Sequence, residues 1–161
     1  MNEIKVIAVP VDFSENAQKI AEGAAYIAGT FNAEVHFIYV VQNFEDYSGF
    51  IVPPVDLPNI EQDIFRSAEE RMERFMQENG PLCADKGVKK CVSEVLIGDV
   101  GEEILAYSDK IGADLIIMGT HGYKGLERIL FGSVADKVVK TSSCPVLTIN
   151  PYRRAEKQRS A

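Results

Sequence analysis

A short apolar run, Leu115, Ile116, Ile117 and Met118, leads into Gly119-Thr120-His121-Gly122, and after nine further residues the chain presents Gly132-Ser133. These residue types in this order suit the binding of phosphate. Glycine lets backbone approach a ligand closely or take a positive φ. A serine at a helix N-cap stands where unpaired N–H groups and the helix dipole attract anions. Val134, Val138 and Val139 then recur at helical spacing, so the segment reads as strand, glycine loop and helix, with Ser133 as N-cap. No Gly-Lys-Ser/Thr follows the loop, which disfavours the Walker type of phosphate loop. His121 could touch a phosphate or act as a base, although a loop histidine more often contributes backbone alone. Lys124 and Arg128 read as solvated charges beside the loop.

Positioning such a loop needs a scaffold, and the rest of the chain supplies one. Ile4, Val6, Ile7, Ala8 and Val9 form a nearly continuous apolar strand, after which Asp12, Phe13 and Ser14 turn the chain into a helix with Ser14 as N-cap. Ala17, Ile20, Ala21, Ala24, Ile27 and Ala28 make that helix's buried stripe, and Gly29 marks its end. Val35 to Val41 is a second strand, too apolar for a sheet wet on one face. Residues 42–62 read as a long loop insertion, because Asn43, Ser48, Gly49, Pro53, Pro54 and Pro58 break any regular pattern. A second amphipathic helix carries Ile64, Ala68, Met72, Phe75 and Met76, is interrupted at Gly80-Pro81, and gives way to a strand from Val88 to Ile97. A third helix after Gly98-Asp99 is closed by Gly112, and Pro145 to Asn150 gives the fifth strand. Residues 152–161 are a polar tail expected to be flexible.

Five strands alternating with four helices predict an α/β fold. Its parallel sheet is covered by helices on both faces, with ligand sites beyond the carboxyl ends of the strands. The turn at Pro10 to Ser14, the segment after Val41 and the glycine loop after Met118 all open onto that edge.

At 161 residues and 46% hydrophobic the chain fits one domain that buries roughly 70% of its unfolded surface without a metal or disulfide staple. A net charge of −7 repels nucleic-acid backbones and anionic membrane surfaces, and no apolar run reaches membrane-spanning length, so neither is an expected partner. The first residues lack the pattern of a secretion signal, and a cytoplasmic location is expected. Cys83, Cys91 and Cys144 are odd in number and share no C-x-x-C or metal-type spacing. Packed thiols in a reducing compartment are the expectation, with a redox switch the alternative.

Three segments together, Val9-Pro10-Val11-Asp12-Phe13-Ser14, Gly119-x2-Gly122-x9-Gly132-Ser133 and Ser143-Cys144-Pro145-Val146-Leu147, resemble the universal stress protein family over about residues 4–150. The resemblance implies a Rossmann-like three-layer sandwich with sheet order 3-2-1-4-5, ATP as ligand, and Mg2+ or Mn2+ bound through its phosphates. It implies that Gly119 and Gly122 lie against ribose and phosphates, and that Gly132, Ser133 and Val134 hold the phosphates. Pro10, Val11 and Asp12 would line the nucleoside side, with Asp12 near the metal. Val40 or Val41 would meet adenine through backbone groups, and Met118 at the strand end completes the set. For Asp12 the residues alone also allow a plain turn cap.

Family members of this kind are usually homodimers, and an apolar last strand with Val146, Leu147 and Ile149 at a sheet edge would favour a symmetric dimer on physical grounds as well. The function this implies is nucleotide-dependent regulation in a stress response, acting through contacts with a protein partner whose identity the residues leave open. Slow ATP hydrolysis or self-phosphorylation at Ser133 is an alternative, although Asp12 is the one obvious carboxylate at the crevice and no nucleophile, base and orienting group stand out together. A dimeric interaction module with incidental nucleotide is a third reading.

Overall fold

Alternation of side chains, two residues to the repeat, lets each strand serve two cores at once. The computed structural model describes residues 3–42, 57–120 and 132–152. Val6–Pro10 (β1), Glu34–Gln42 (β2), Lys90–Gly98 (β3), Leu115–Gly119 (β4) and Val146–Ile149 (β5) form one parallel sheet in the order β3-β2-β1-β4-β5. The helices are Ala17–Phe31 (α1), Leu57–Asp85 (α2), Val100–Ile111 (α3) and Ser133–Thr141 (α4). Ile7, Val9, Val35, Phe37 and Ile117 point to the side where α1 and α2 pack with Ala24, Met72 and Phe75. Their neighbours Ala8, Ile38, Val40, Ile116 and Met118 point to the other side, under Ile104 and Tyr107 of α3 and Val138 of α4. Helices thus cover both faces, which is why the strands carry almost no polar alternation. The expected fold class and strand order are both present.

Helix boundaries depart from the sequence expectation in five places, each with a local cause. The N-cap of the helix after β1 is Asn16 and not Ser14, so the helix begins at Ala17. Ser14 shapes a turn ahead of it, accepting the Asn16 amide on Oγ at 3.3 Å and the Ala17 amide on its carbonyl at 3.0 Å. Its end is Asn32, in the left-handed region at φ 51°, three residues past Gly29. Gly29 serves another purpose. A β-carbon there would stand 1.9 Å from the Lys86 carbonyl oxygen, so the residue permits close approach of the chain beyond α2.

The expected loop at 42–62 is shorter, because β2 runs to Gln42 and α2 begins at Leu57; residues 57–62 are helical, with Pro58 in the first turn, where its missing N–H costs nothing. Residues 43–56 lie outside the described residues. Gly80-Pro81 does not interrupt α2, which stays continuous to Asp85 with Pro81 inside. An interior proline costs about 3 kcal/mol. Here Met72, Phe75, Asn79 and Cys83, a buried stripe at helical spacing on both sides of Pro81, keep the two halves on the sheet. Finally, Gly132 is the N-cap of α4 and Ser133 its first residue, so the helix starts one place earlier than expected.

Candidate functional site

The chain runs outward from β1 to β2 and β3 on one side, then returns to place β4 and β5 on the other, so the direction of winding reverses between β1 and β4. Open α/β sheets bind ligands outside the strand carboxyl ends at such a reversal. The register makes the crevice concrete. β1 and β4 pair only at Ile7 with Leu115 and Ala8 with Ile116, although β1 continues to Pro10 and β4 to Gly119. Past those two pairs their pairing ends. The chain leaving β1 joins α1 on one face, and the chain leaving β4 reaches α4 on the other, the divergence that opens a gap in sheets of this kind.

Each wall of this gap is held by backbone. Val11 donates its amide to the Ile38 carbonyl at 2.9 Å, extending β1's attachment to β2. Asp12 Oδ1 accepts the Ser14 amide at 3.0 Å, the turn cap that the residues alone allow. Phe13 between them sits at φ 56°, a left-handed conformation rare for an aromatic residue. Its ring lies 4.3 Å from that of Tyr39, meets Phe75 edge-on at 6.1 Å and carries the Arg71 guanidinium 4.9 Å from its centre. These contacts hold the strained residue in place, and with it the aim of Asp12. Nothing in the sequence alone assigns Phe13 such a role; an Asp-Phe-Ser string carries no signal for a left-handed phenylalanine.

On the opposite wall, Thr120 donates its amide to the Ile149 carbonyl at 3.0 Å, and its own carbonyl accepts the Gly132 amide at 2.9 Å. The glycine loop therefore leaves and returns at one point on the sheet edge. Thr120, almost fully buried, is a second residue whose positioning role is invisible in the sequence. Asp136 donates the first turn of α4's bonding, to the Gly132 carbonyl at 2.9 Å. The amides of Ser133, Val134 and Ala135 precede it and have no acceptor among the described residues, and amides at a helix start are able to attract an anion.

Val40 and Met118, buried beside Ala135 and Val138 with Val134 against them, make an apolar floor on the α3 and α4 side; Val41 is buried next to Val40 at the end of β2. Lys137 of α4 reaches Asp99 at 2.9 Å and Glu102 at 3.2 Å, which fastens α4 to the start of α3. The Glu102 amide and then the Lys137 ammonium hold the Asp99 carboxyl below the usual carboxylate range.

Pro10, Val11, Asp12, Val40, Val41, Met118, Gly119, Gly132, Ser133 and Val134 thus all stand at the carboxyl edge of β1, β2 and β4 or at the start of α4. His121, Gly122, Lys124 and Arg128 lie outside the described residues. Among the described residues no group of three His, Cys, Asp or Glu side chains could hold a metal by itself. His36, farther down β2, bonds through Nδ1 to the Tyr107 hydroxyl at 3.1 Å. A separate cleft of about 440 Å³ between the β1–α1 turn and α2 sets Arg71 and Arg74 among Glu15 and Glu78, a balanced set with no preference for an anion.

The sequence model of the universal stress protein family matches residues 3–150. This chain belongs to the universal stress protein family. A universal stress protein of Methanocaldococcus jannaschii is 38% identical over 153 residues, covering 95% of this chain and 86% of the relative. In structure the chain is similar to a universal stress protein of Lactobacillus plantarum, with a TM-score of 0.79 and 24% identity over 93% of this chain and all of that one. It shares its fold with a universal stress protein of Archaeoglobus fulgidus solved in complex with dAMP, at a TM-score of 0.60 and 16% identity over 93% of this chain and all of that one.

Proposed function

We propose that this universal stress protein binds ATP in the gap between β1 and β4, and that occupancy tunes its contacts with a protein partner during a cytoplasmic stress response. One observation carries the reading: the pairing of β1 with β4 ends at Ala8 and Ile116, beside a helix start whose first three amides have no acceptor among the described residues. Backbone N–H groups at such a start bind phosphate without a lysine, which suits a loop that has no Walker sequence. In this reading Gly132, Ser133 and Val134 hold phosphates, and Gly119 and Gly122 lie along ribose and phosphates. Pro10, Val11 and Asp12 line the nucleoside, with Val40, Val41 and Met118 toward the base. The A. fulgidus relative with dAMP is a precedent for an adenine nucleotide on this fold.

Asp12 fits a divalent cation held mainly by phosphate oxygens, because a carboxylate beside a polyphosphate on a chain of net charge −7 needs a countercharge. Mg2+ or Mn2+ would supply it, with Asp12 as the protein ligand.

The test is to denature freshly purified protein, identify any released nucleotide, and titrate the stripped protein with ATP. Gly132→Leu and Gly122→Leu should each weaken binding by at least about tenfold. Wild type that is empty and ignores added ATP refutes the reading. ADP released over several equivalents of ATP, and lost in Asp12→Ala, would instead favour the slow hydrolase.

We also propose a homodimer through β5. This strand ends the sheet order, pairing among the described residues with β4 alone, and its Leu147 side chain is exposed. An apolar edge with unpaired backbone favours association with a symmetric copy of itself.

A further inference from the structure

Eight positions apart in sequence, Cys83 and Cys91 meet in space with their sulfurs 3.5 Å apart. Cys83 closes the buried stripe of α2 and is 2% exposed, while Cys91, the second residue of β3, is half-buried. The connection between them is tightly tied. Lys86 donates to the Leu82 carbonyl at 3.0 Å, Val88 to the Cys83 carbonyl at 3.0 Å, and Lys89 to the Ala33 carbonyl at 3.0 Å, with Gly87 turning the chain at φ 77°. Two thiols held in contact by a short, fixed connection need only a small approach to reach bonding distance. Cys144 is elsewhere, with its sulfur beside the Ser142 hydroxyl.

We propose that Cys83 and Cys91 are an oxidisable dithiol that a peroxide converts to an intramolecular disulfide, stapling the end of α2 to β3. The Cys91 thiol donates its hydrogen bond to the Cys83 sulfur, which lowers the pKa of Cys83 and raises that of Cys91. One of the two sulfurs, as thiolate, attacks one oxygen of hydrogen peroxide, the O–O bond breaks, and hydroxide leaves and is protonated to water, which yields a sulfenic acid. The second sulfur then attacks the first, the S–O bond breaks, and the departing hydroxide takes the second thiol's proton as a second water. Two thiols lose two electrons and one peroxide gains them. This inference is independent of nucleotide binding, because neither cysteine lies at the carboxyl edge.

The experiment exposes the reduced full chain to hydrogen peroxide, alkylates it under denaturing conditions and maps peptides by mass. The expected product is a linked Cys83–Cys91 pair lighter by two hydrogens, restored by dithiothreitol, with Cys144 still alkylated. The same linkage should form in Cys144→Ser, and neither Cys83→Ser nor Cys91→Ser should form a linkage within the chain. Free alkylation of both residues after oxidation overturns the proposal. So does direct passage to sulfinic or sulfonic acid without linkage, or crosslinking between chains only.

Discussion

Gly29→Ala separates two views of a glycine near a helix end. If Gly29 were a neutral filler inside the helix, alanine would stabilise α1 by up to about 1 kcal/mol, the propensity difference between the two residues. The structure gives the opposite sign. The new β-carbon would stand 1.9 Å from the Lys86 carbonyl oxygen and 2.8 Å from its carbon, whereas ordinary contact begins at 3.4 Å. Relief requires the carbonyl to retreat by about 1.5 Å, the difference between 1.9 and 3.4 Å, and it is backbone, so no rotamer can absorb the change.

Three hydrogen bonds around that segment, from Lys86, Val88 and Lys89, resist the movement. Overpacking at the upper end of its range, about 3 kcal/mol, less the propensity gain, leaves a net loss of about 2 kcal/mol. For a chain of this length that lowers Tm by about 4 to 8 °C. Circular dichroism melts and urea titrations of the purified variant measure it. Gly101→Ala is the control, since its β-carbon meets the Lys137 methylenes at 2.7 Å, and an exposed lysine can swing aside. Its Tm should stay within about 2 °C of wild type. A Gly29→Ala melt equal to or above wild type refutes the reasoning.

Asp99→Ala removes the side chain that caps α3 by accepting the Glu102 amide at 3.0 Å and should cost about 1 kcal/mol in urea titrations, while Asp99→Asn retains most of it. An alanine variant as stable as wild type would show that the cap contributes nothing. Burial, the largest influence on His36, pulls its pKa below the usual 6.5; Glu34 opposes this and Lys90 adds to it. A depressed folded pKa means that the contribution is present above about pH 6.5 and lost as pH falls below it, so His36→Gln should flatten Tm against pH between about 7 and 5.5. An unchanged slope would place that pH dependence on other groups. Leu147→Lys puts a charge on the open edge of β5 and should give monomers or insoluble protein; a sedimentation profile identical to wild type counts against the β5 dimer.

Much of this fold was legible because both its periodicities are strong. Apolar runs at β1, β2 and β4 can be satisfied only between two helical layers, and the Ala17 to Ala28 stripe reads as a helix without help. Capping was legible where one residue decides it. Gly112 is left-handed at φ 63° and closes α3 where expected. It was illegible where several residues compete. Asn32 outdid Gly29 because the chain needed glycine for contact with Lys86, and Pro81 stayed helical because packing on both sides outweighed one lost hydrogen bond. For the candidate site, the glycine spacing was legible in the sequence, but nothing in the string of letters placed Phe13 in the left-handed region or bonded Thr120 to both Ile149 and Gly132.

The sequence by itself determined the α/β alternation, the glycine spacing and the end of the sheet at which the candidate residues gather, because these depend on local propensity and patterns a few residues long. Tertiary structure alone decided how far β1 and β4 stay paired and which amides of α4 remain without an acceptor among the described residues. It also decided that Cys83 and Cys91 touch. Each of these depends on where separate elements pack against one another, and contact distances of that kind are set by the whole core and by no single stretch of chain.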